Sequence, residues 1–269
     1  MAMKILLFSG NHPRHAFIHS AVLKAFEVCG IVHMQRENII PEPPAGTMSH
    51  DAENFRRHFA DRYAAEQKYF GEMKIEDIAT KVPIHQCNAS NLNSQETADF
   101  VQKCAPDIVF IFGTKIIKDP VLSVLPKDRV NMHVGLSPWY KGAATLFWPF
   151  YNMQPQFCGV TFHQIVPAAD AGAVIHQCVP ELSMGDGIHD VACKTLIAAQ
   201  KDLSALLKQW GKNGSFFEVQ QRTSGRLYLE SAFRPEHLRV IYDLFSNDMV
   251  DAYLRGELSQ NKPTLITGI

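Results

Sequence analysis

Apolar runs and amphipathic stretches alternate along the first 210 residues of the chain, and each run ends on turn-forming residues. Lys4-Ile-Leu-Leu-Phe8 reads as a short strand, Ser9-Gly10-Asn11-His12-Pro13-Arg14-His15 as the turn after it, and residues 16–28 as a helix. Residues 41–50 hold three prolines and a glycine and are expected to be an extended connection, with use as a lid as the alternative. Residues 51–73 place Phe55, Phe59, Tyr63 and the pair Tyr69-Phe70 among charged helix formers, the pattern of an amphipathic helix. A short strand is predicted at 82–87 and a helix at 94–104 with Ser94 as its N-cap. Ile108-Val-Phe-Ile-Phe112 is apolar throughout, as in a strand covered on both faces, and it ends on Gly113. Strand and helix therefore take turns, which predicts an α/β fold: a Rossmann-like, mostly parallel sheet with helices on both faces.

Residues 188–210 carry a long helical pattern, and beyond them the character changes. Residues 216–221 and 226–230 read as two arms of a hairpin joined by Arg222-Thr-Ser-Gly225, and residues 235–258 as one or two helices. The division expected from this is a catalytic domain over 1–210 and a small hairpin-helix extension over 211–269. With 269 residues, 46% of them hydrophobic, the chain is long enough for a full α/β core plus such an appendage.

Charge and cysteine usage narrow the function classes. A formal net charge of -1 lacks the basic footprint of a general nucleic-acid binder. Cys29, Cys87, Cys104, Cys158, Cys178 and Cys193 show no Cys-x-x-Cys pair, so reduced thiols are expected. No apolar run is long enough for a signal peptide or a membrane span, and the expected location is the cytoplasm. Twelve histidines raise the question of a metal; His12, His15 and His19 come nearest to a ligand set, yet no metal-binding motif is present and none is expected.

The chemistry concentrates between Arg129 and Gln177. Asn131 and His133, two residues apart on a strand, project to the same side, and Asp170 arrives on a separate loop. Acyl transfer needs a donor for the developing oxyanion, a titratable group and a means of removing the amine proton, and these three side chains fit those needs. The apolar neighbours of Asp170 predict a raised pKa. On spacing alone, a satisfied core polar group or a cap is the commoner reading of such residues.

The order Asn131-x-His133, Pro138, Lys141-Gly142, Gly159-Val-Thr161 and Asp170-x-Gly172 resembles the folate-dependent formyltransferase family, which includes glycinamide ribonucleotide, methionyl-tRNA and sugar-nucleotide formyltransferases. Within that family the stretch from Gly159 through His163 to Ile175 is most similar to enzymes that formylate an amino sugar on UDP. The resemblance spans about 1–200 in outline and is strong over 106–177. It implies that Asn131 hydrogen-bonds the formyl oxygen, that His133 stabilises the intermediate and relays protons, and that Asp170 assists deprotonation of the amine. The donor it implies is 10-formyltetrahydrofolate, with Gly113 letting the ligand approach the backbone and Lys115, Ile116, Ile117 and the loop from Val166 through Pro167 and Ala168 lining its pocket. One departure is visible: the family often has Ser-Leu-Leu-Pro where this chain reads Gly135-Leu136-Ser137-Pro138.

At the first turn, Asn11, His12 and Arg14 precede a helix whose free amides attract anions, giving a candidate acceptor-side phosphate site. The equal alternative is a plain turn with Pro13 at the helix start. Glycinamide ribonucleotide formyltransferases use a similar loop reading Gly-Asn-Gly-Ser-Asn, of which this chain keeps only the first two residues. The tail is too short for the added domain of the methionyl-tRNA enzymes. The partner expected is thus a small-molecule amine, an amino sugar on a nucleotide, with another amine or hydrolysis of the donor as alternatives. Membranes and nucleic acid are not expected, and the C-terminal hairpin offers a surface for a homodimer.

Overall fold

Residues 3–36, 40–222 and 225–269 are described by the computed structural model. In chain order, the first half contains β1 (Lys4–Gly10), α1 (Pro13–Ala25), β2 (Glu27–Gln35), α2 (Ser49–Phe70), α3 (Ile75–Ile78), β3 (Ile84–Asn88), α4 (Gln95–Cys104) and β4 (Ile108–Phe112). There follow α5 (Val121–Val124), β5 (Asp128–His133), β6 (Lys141–Gly142), α6 (Trp148–Tyr151), β7 (Val160–Gln164), β8 (Val174–Cys178) and α7 (Ile188–Asn213). The tail holds β9 (Leu227–Tyr228) and α8 (Met249–Leu254), with a 3-10 turn at Pro235–Leu238 and a π turn at Val240–Leu244 between them.

Seven strands form one sheet in the order β3-β2-β1-β4-β5-β7-β8; the first five are parallel, β7 runs against them, and β8 pairs antiparallel to β7. Alternation along the strands divides the core between two faces. Ile5, Leu7, Ile108 and Phe110 pack with Ile18 and Val22 of α1 and with Leu203 and Leu207 of α7. Leu6, Phe8, Val109 and Ile111 pack on the other side with Ala98 and Val101 of α4 and Val121 of α5. This is the expected α/β sheet with helices on both faces.

Two local differences have clear causes. The first helix starts at Pro13, whose missing N–H costs nothing at that position, and ends at Ala25 rather than at 28. Glu27–Gln35 is instead strand β2, because pairing with β1 and β3 on either side outweighs the helical pattern of residues 16–28. The expected hairpin also resolves differently. Its first arm bridges Val219 to Val174, and its second, β9, pairs in parallel with β6, so each arm pairs with an earlier segment of the chain rather than with the other arm. The turn residues 223 and 224 lie outside the described residues. Tyr228, Leu238, Ile241 and Val250 bury themselves against Tyr140, Trp148 and Phe157, so the tail shares an apolar cluster with the domain.

All six cysteines are free thiols. Among the described residues no helix is long and apolar enough to cross a membrane, and no group of three or more His, Cys, Asp or Glu is placed to hold a metal ion.

Candidate active site

The antiparallel pairing of β5 with β7 sets Asn131 opposite His163 and His133 opposite Thr161. Two-residue periodicity puts Asn131, His133 and His163 on one side, and the loop between β7 and β8 brings Asp170 back over them. Four side chains then meet. Asp170 Oδ2 lies 3.5 Å from His133 Nδ1 and Asp170 Oδ1 3.3 Å from His163 Nε2, while Asn131 Nδ2 is 3.1 Å from that same His163 nitrogen.

Backbone carbonyls dictate both imidazole tautomers. His133 Nε2 is 2.8 Å from the Tyr140 carbonyl, which can only accept, so Nε2 carries the hydrogen and Nδ1 holds the lone pair facing Asp170. His163 Nδ1 donates likewise to the Gln164 carbonyl at 2.8 Å, leaving Nε2 to accept from the Asn131 amide. That contact uses one of the two N–H groups of Asn131.

Electrostatics assign the charges. Burial lowers the pKa of His133 below the ordinary value, with the Asp170 charge acting the other way, so the imidazole rests neutral near pH 7. Burial pushes the Asp170 carboxyl up, but the contact with His163, the charges that His133 and His163 carry as imidazolium and the Gly142 amide together hold it at about 2. The raised value expected from its apolar neighbours is therefore corrected: polar partners contributed by other segments outweigh them.

The tail braces this carboxylate. Asp170 sits at φ 47°, a left-handed conformation that Asp tolerates better than most residues. Its Oδ2 accepts from the Gly142 amide at 2.8 Å, and Gly142 is aligned by the β6–β9 pairing. Gly142 itself has φ 94°, and a Cβ there would strike the Tyr228 carbonyl. From the other side, Gln221 Nε2 donates to the carbonyls of Asp170 and Gly172 at 2.9 and 2.8 Å. A glycine also frees the His133 ring: a Cβ on Gly135 would come within 2.6 Å of Nε2.

His163, Gly142 and Gln221 were missed as site residues by sequence reasoning. His163 lay inside a quoted motif, yet only the β5–β7 register shows that it faces Asn131.

The other candidates are spread along the same edge of the sheet. Gly113, at φ 86°, closes β4 and accepts at its carbonyl from Arg36 Nη1 at 3.3 Å. Lys115 Nζ lies 3.2 Å from Glu230, Ile116 is 51% exposed, and Ile117 is buried in the core. Val166 is half-buried and Pro167 and Ala168 are exposed on the Asp170 loop. Asn11 Oδ1 accepts from the Arg36 amide at 3.1 Å, and His12 is buried and stacked on His15. Arg14 is not the exposed cation of a plain turn, because Nη1 is paired at 2.6 Å with Glu66, itself buried.

Residues 50–207 match the family model described as formyl transferase. The chain belongs to the formyl transferase family. It is accordingly an enzyme that uses a folate-linked formyl donor, 10-formyltetrahydrofolate. Among solved structures it is similar to an N-formyltransferase from Helicobacter canadensis in complex with folinic acid and dTDP-3-aminofucose, with a TM-score of 0.59, 17% identity and coverage of 89% of this chain and 79% of that one. A phosphoribosylglycinamide formyltransferase from Bacillus halodurans matches with a TM-score of 0.57 and 15% identity over 78% of this chain and 96% of its own. A sugar N-formyltransferase from a Shewanella species matches at 0.56 and 14%, over 89% and 87%. At such identities the likeness of this formyltransferase to its neighbours is one of fold.

Proposed function

We propose that this formyltransferase transfers the formyl group to the primary amine of a nucleotide-linked amino sugar, with Asn131, His133 and Asp170 as its catalytic residues. The observation that carries the chemistry is the single cluster in which one ionised carboxylate reaches two imidazoles and an amide lies alongside.

The folate supplies the formyl carbon and leaves as tetrahydrofolate when the bond from that carbon to N10 breaks and N10 takes up the proton that His133 has received from the amine. Asn131 directs its second N–H to the formyl oxygen, where negative charge develops as the amine nitrogen bonds to the carbon. The amine proton passes to His133 Nδ1, since Nε2 is occupied at the Tyr140 carbonyl. Asp170, held at about 2, is too weak a base to keep that proton near neutral pH; its charge instead balances the imidazolium that forms. The exposed apolar side chain of Ile116, with Val166 and Pro167 on the facing loop, offers surface that a pterin would cover, whereas Ile117 contributes from within the core.

Two observations support a sugar nucleotide over glycinamide ribonucleotide. The loop after β1 carries a buried His12 and an Arg14 committed to Glu66 in place of small residues, and the Helicobacter structure holds an amino sugar on dTDP. We assign the enzyme to the cytoplasm, in keeping with six free thiols. A homodimer is expected through the face of the tail bearing Leu227 and Leu229, and a monomer in sedimentation at micromolar concentration would refute that.

Tetrahydrofolate release from 10-formyltetrahydrofolate, followed spectrophotometrically with a panel of amino-sugar nucleotides, glycinamide ribonucleotide and methionyl-tRNA, tests the acceptor. Release that depends on an amino-sugar nucleotide supports the assignment. Dependence on another amine, or release with no amine, replaces it.

A further inference from the structure

A cleft of about 320 Å³ opens at the ends of β2 and β3, away from the four-residue cluster, lined by Met34, Arg36, Asn88, Ala89, Ser90 and Lys115 among others. Its volume is at the lower end of the range of small-molecule sites. Arg36 and Lys115 bring two cations to it, and among the described residues no carboxylate is in its lining.

The strand order places this cleft relative to the chemistry. From β5, which carries Asn131, the sheet runs through β4 and β1 to β2, three strand spacings or about 14 Å. A small free amine reacting at His133 does not span that distance. The two places are continuous along the sheet edge: Arg36 donates to the Gly113 carbonyl at the end of β4, and its amide is held by Asn11 of the loop after β1.

The far wall is preorganised. Asn88 Oδ1 accepts from the Ser90 amide at 2.8 Å and the Ser90 hydroxyl at 2.6 Å, and the Asn88 amide donates to Asn91 Oδ1 at 2.7 Å. A ligand entering there meets a turn already fixed in shape, which spares the entropy of ordering it. Met34 gives an apolar surface and Asn88 and Ser90 polar ones, a mixture suited to a nucleoside, while Arg36 and Lys115 suit a diphosphate. Lys115, which the family resemblance assigned to the folate pocket, lines this cleft instead and is paired at the surface with Glu230, an anion that a phosphate can replace.

We propose that this cleft binds the nucleoside diphosphate portion of the amine substrate, with Arg36 and Lys115 on the phosphates. The inference rests on the sugar-nucleotide reading above and adds the place where the nucleotide is held. In this arrangement the amine lies at Asn131 and His133 and the diphosphate runs along the ends of β4 and β1.

Direct titration of the full chain with UDP and with dTDP, in the absence of folate and amine, tests it. The wild type is expected to bind one of them, Arg36→Gln and Lys115→Gln to weaken binding at least tenfold, and Asn131→Ala to bind as the wild type does. Ala89→Phe fills the cleft from an exposed turn and is expected to abolish binding while its thermal unfolding stays close to wild type. Absence of nucleotide binding by the wild type overturns the proposal, as does binding that Arg36→Gln and Ala89→Phe leave unchanged. A parallel titration compares 5-formyltetrahydrofolate with its analogue lacking glutamate. If Arg36→Gln weakens only the glutamate-bearing form and leaves nucleotide affinity intact, the cleft serves the folate tail and the proposal falls. Cleft-dependent nucleotide binding without formyl transfer to any amino-sugar nucleotide would instead overturn the acceptor assignment alone.

Discussion

Replacing Asp170 by Asn tests the electrostatic arrangement with little change of shape. Asn tolerates the left-handed backbone at φ 47°, and its side-chain oxygen can still accept the Gly142 amide, so the substitution removes chiefly the charge. The carboxyl stands at about 2 in the folded chain against an ordinary 3.8, a depression worth about 2 kcal/mol at 1.36 kcal/mol per pH unit. Because the folded value is lowered, this stability is fully present above pH 3.8 and is lost as pH falls toward 2. Urea unfolding should therefore show Asp170→Asn about 2 kcal/mol less stable than wild type at pH 6, with the gap closing between about pH 4 and pH 2. In catalysis the loss of the anion leaves the His133 imidazolium unbalanced, and kcat for tetrahydrofolate release should fall about a hundredfold to ten-thousandfold. A kcat within tenfold of wild type in a folded variant, or a stability gap equal at pH 6 and pH 2.5, would refute the assignment of Asp170 as the charge that organises the two imidazoles.

Asn131→Ala removes the oxyanion donor and should lower kcat about a hundredfold or more; near-normal turnover would exclude that role. Gln221→Ala deletes both hydrogen bonds that hold the Asp170 loop from the tail, so kcat should drop while UDP or dTDP affinity stays unchanged, a split read by comparing turnover with nucleotide titration. His189 is buried against His58, and its pKa is lowered from 6.5 to about 3 by burial first and then by Arg62. Protons favour the unfolded state at that site below pH 6.5, so stability falls on acidification, by about 1 kcal/mol between pH 6 and pH 5 for this residue. His189→Gln should flatten the stability profile by that amount in chemical unfolding, and an unchanged slope would show that His189 is not the responsible group.

Much of the sheet was legible because its signals are local. The unbroken apolar run at 108–112 and the alternation of strand and helix reflect two-sided burial, which leaves its mark on every residue of a strand. Strand β2 was not legible. The helix expected over 16–28 overran its first two residues, no element was assigned to 29–35, and pairing partners distant in sequence made the strand. The tail shows the same limit: each arm of the anticipated hairpin has strand character, but which strand it pairs with depends on surfaces built by residues 138–178.

At the site, the residue types and the i, i+2 spacing of Asn131 and His133 are properties of the sequence, as is the family likeness carried by the motifs around them. What only the tertiary structure decided is how those groups are charged and braced. The β5–β7 register brought His163 to Asn131, the carbonyls of Tyr140 and Gln164 selected the tautomers, and Gly142 and Gln221 arrived from separate segments to hold Asp170. Protonation depends on every charge and dipole within a few ångströms, and most of those near Asp170 lie far from it along the chain. That is why the apolar neighbours of Asp170 in sequence pointed to a raised pKa and the folded chain lowers it.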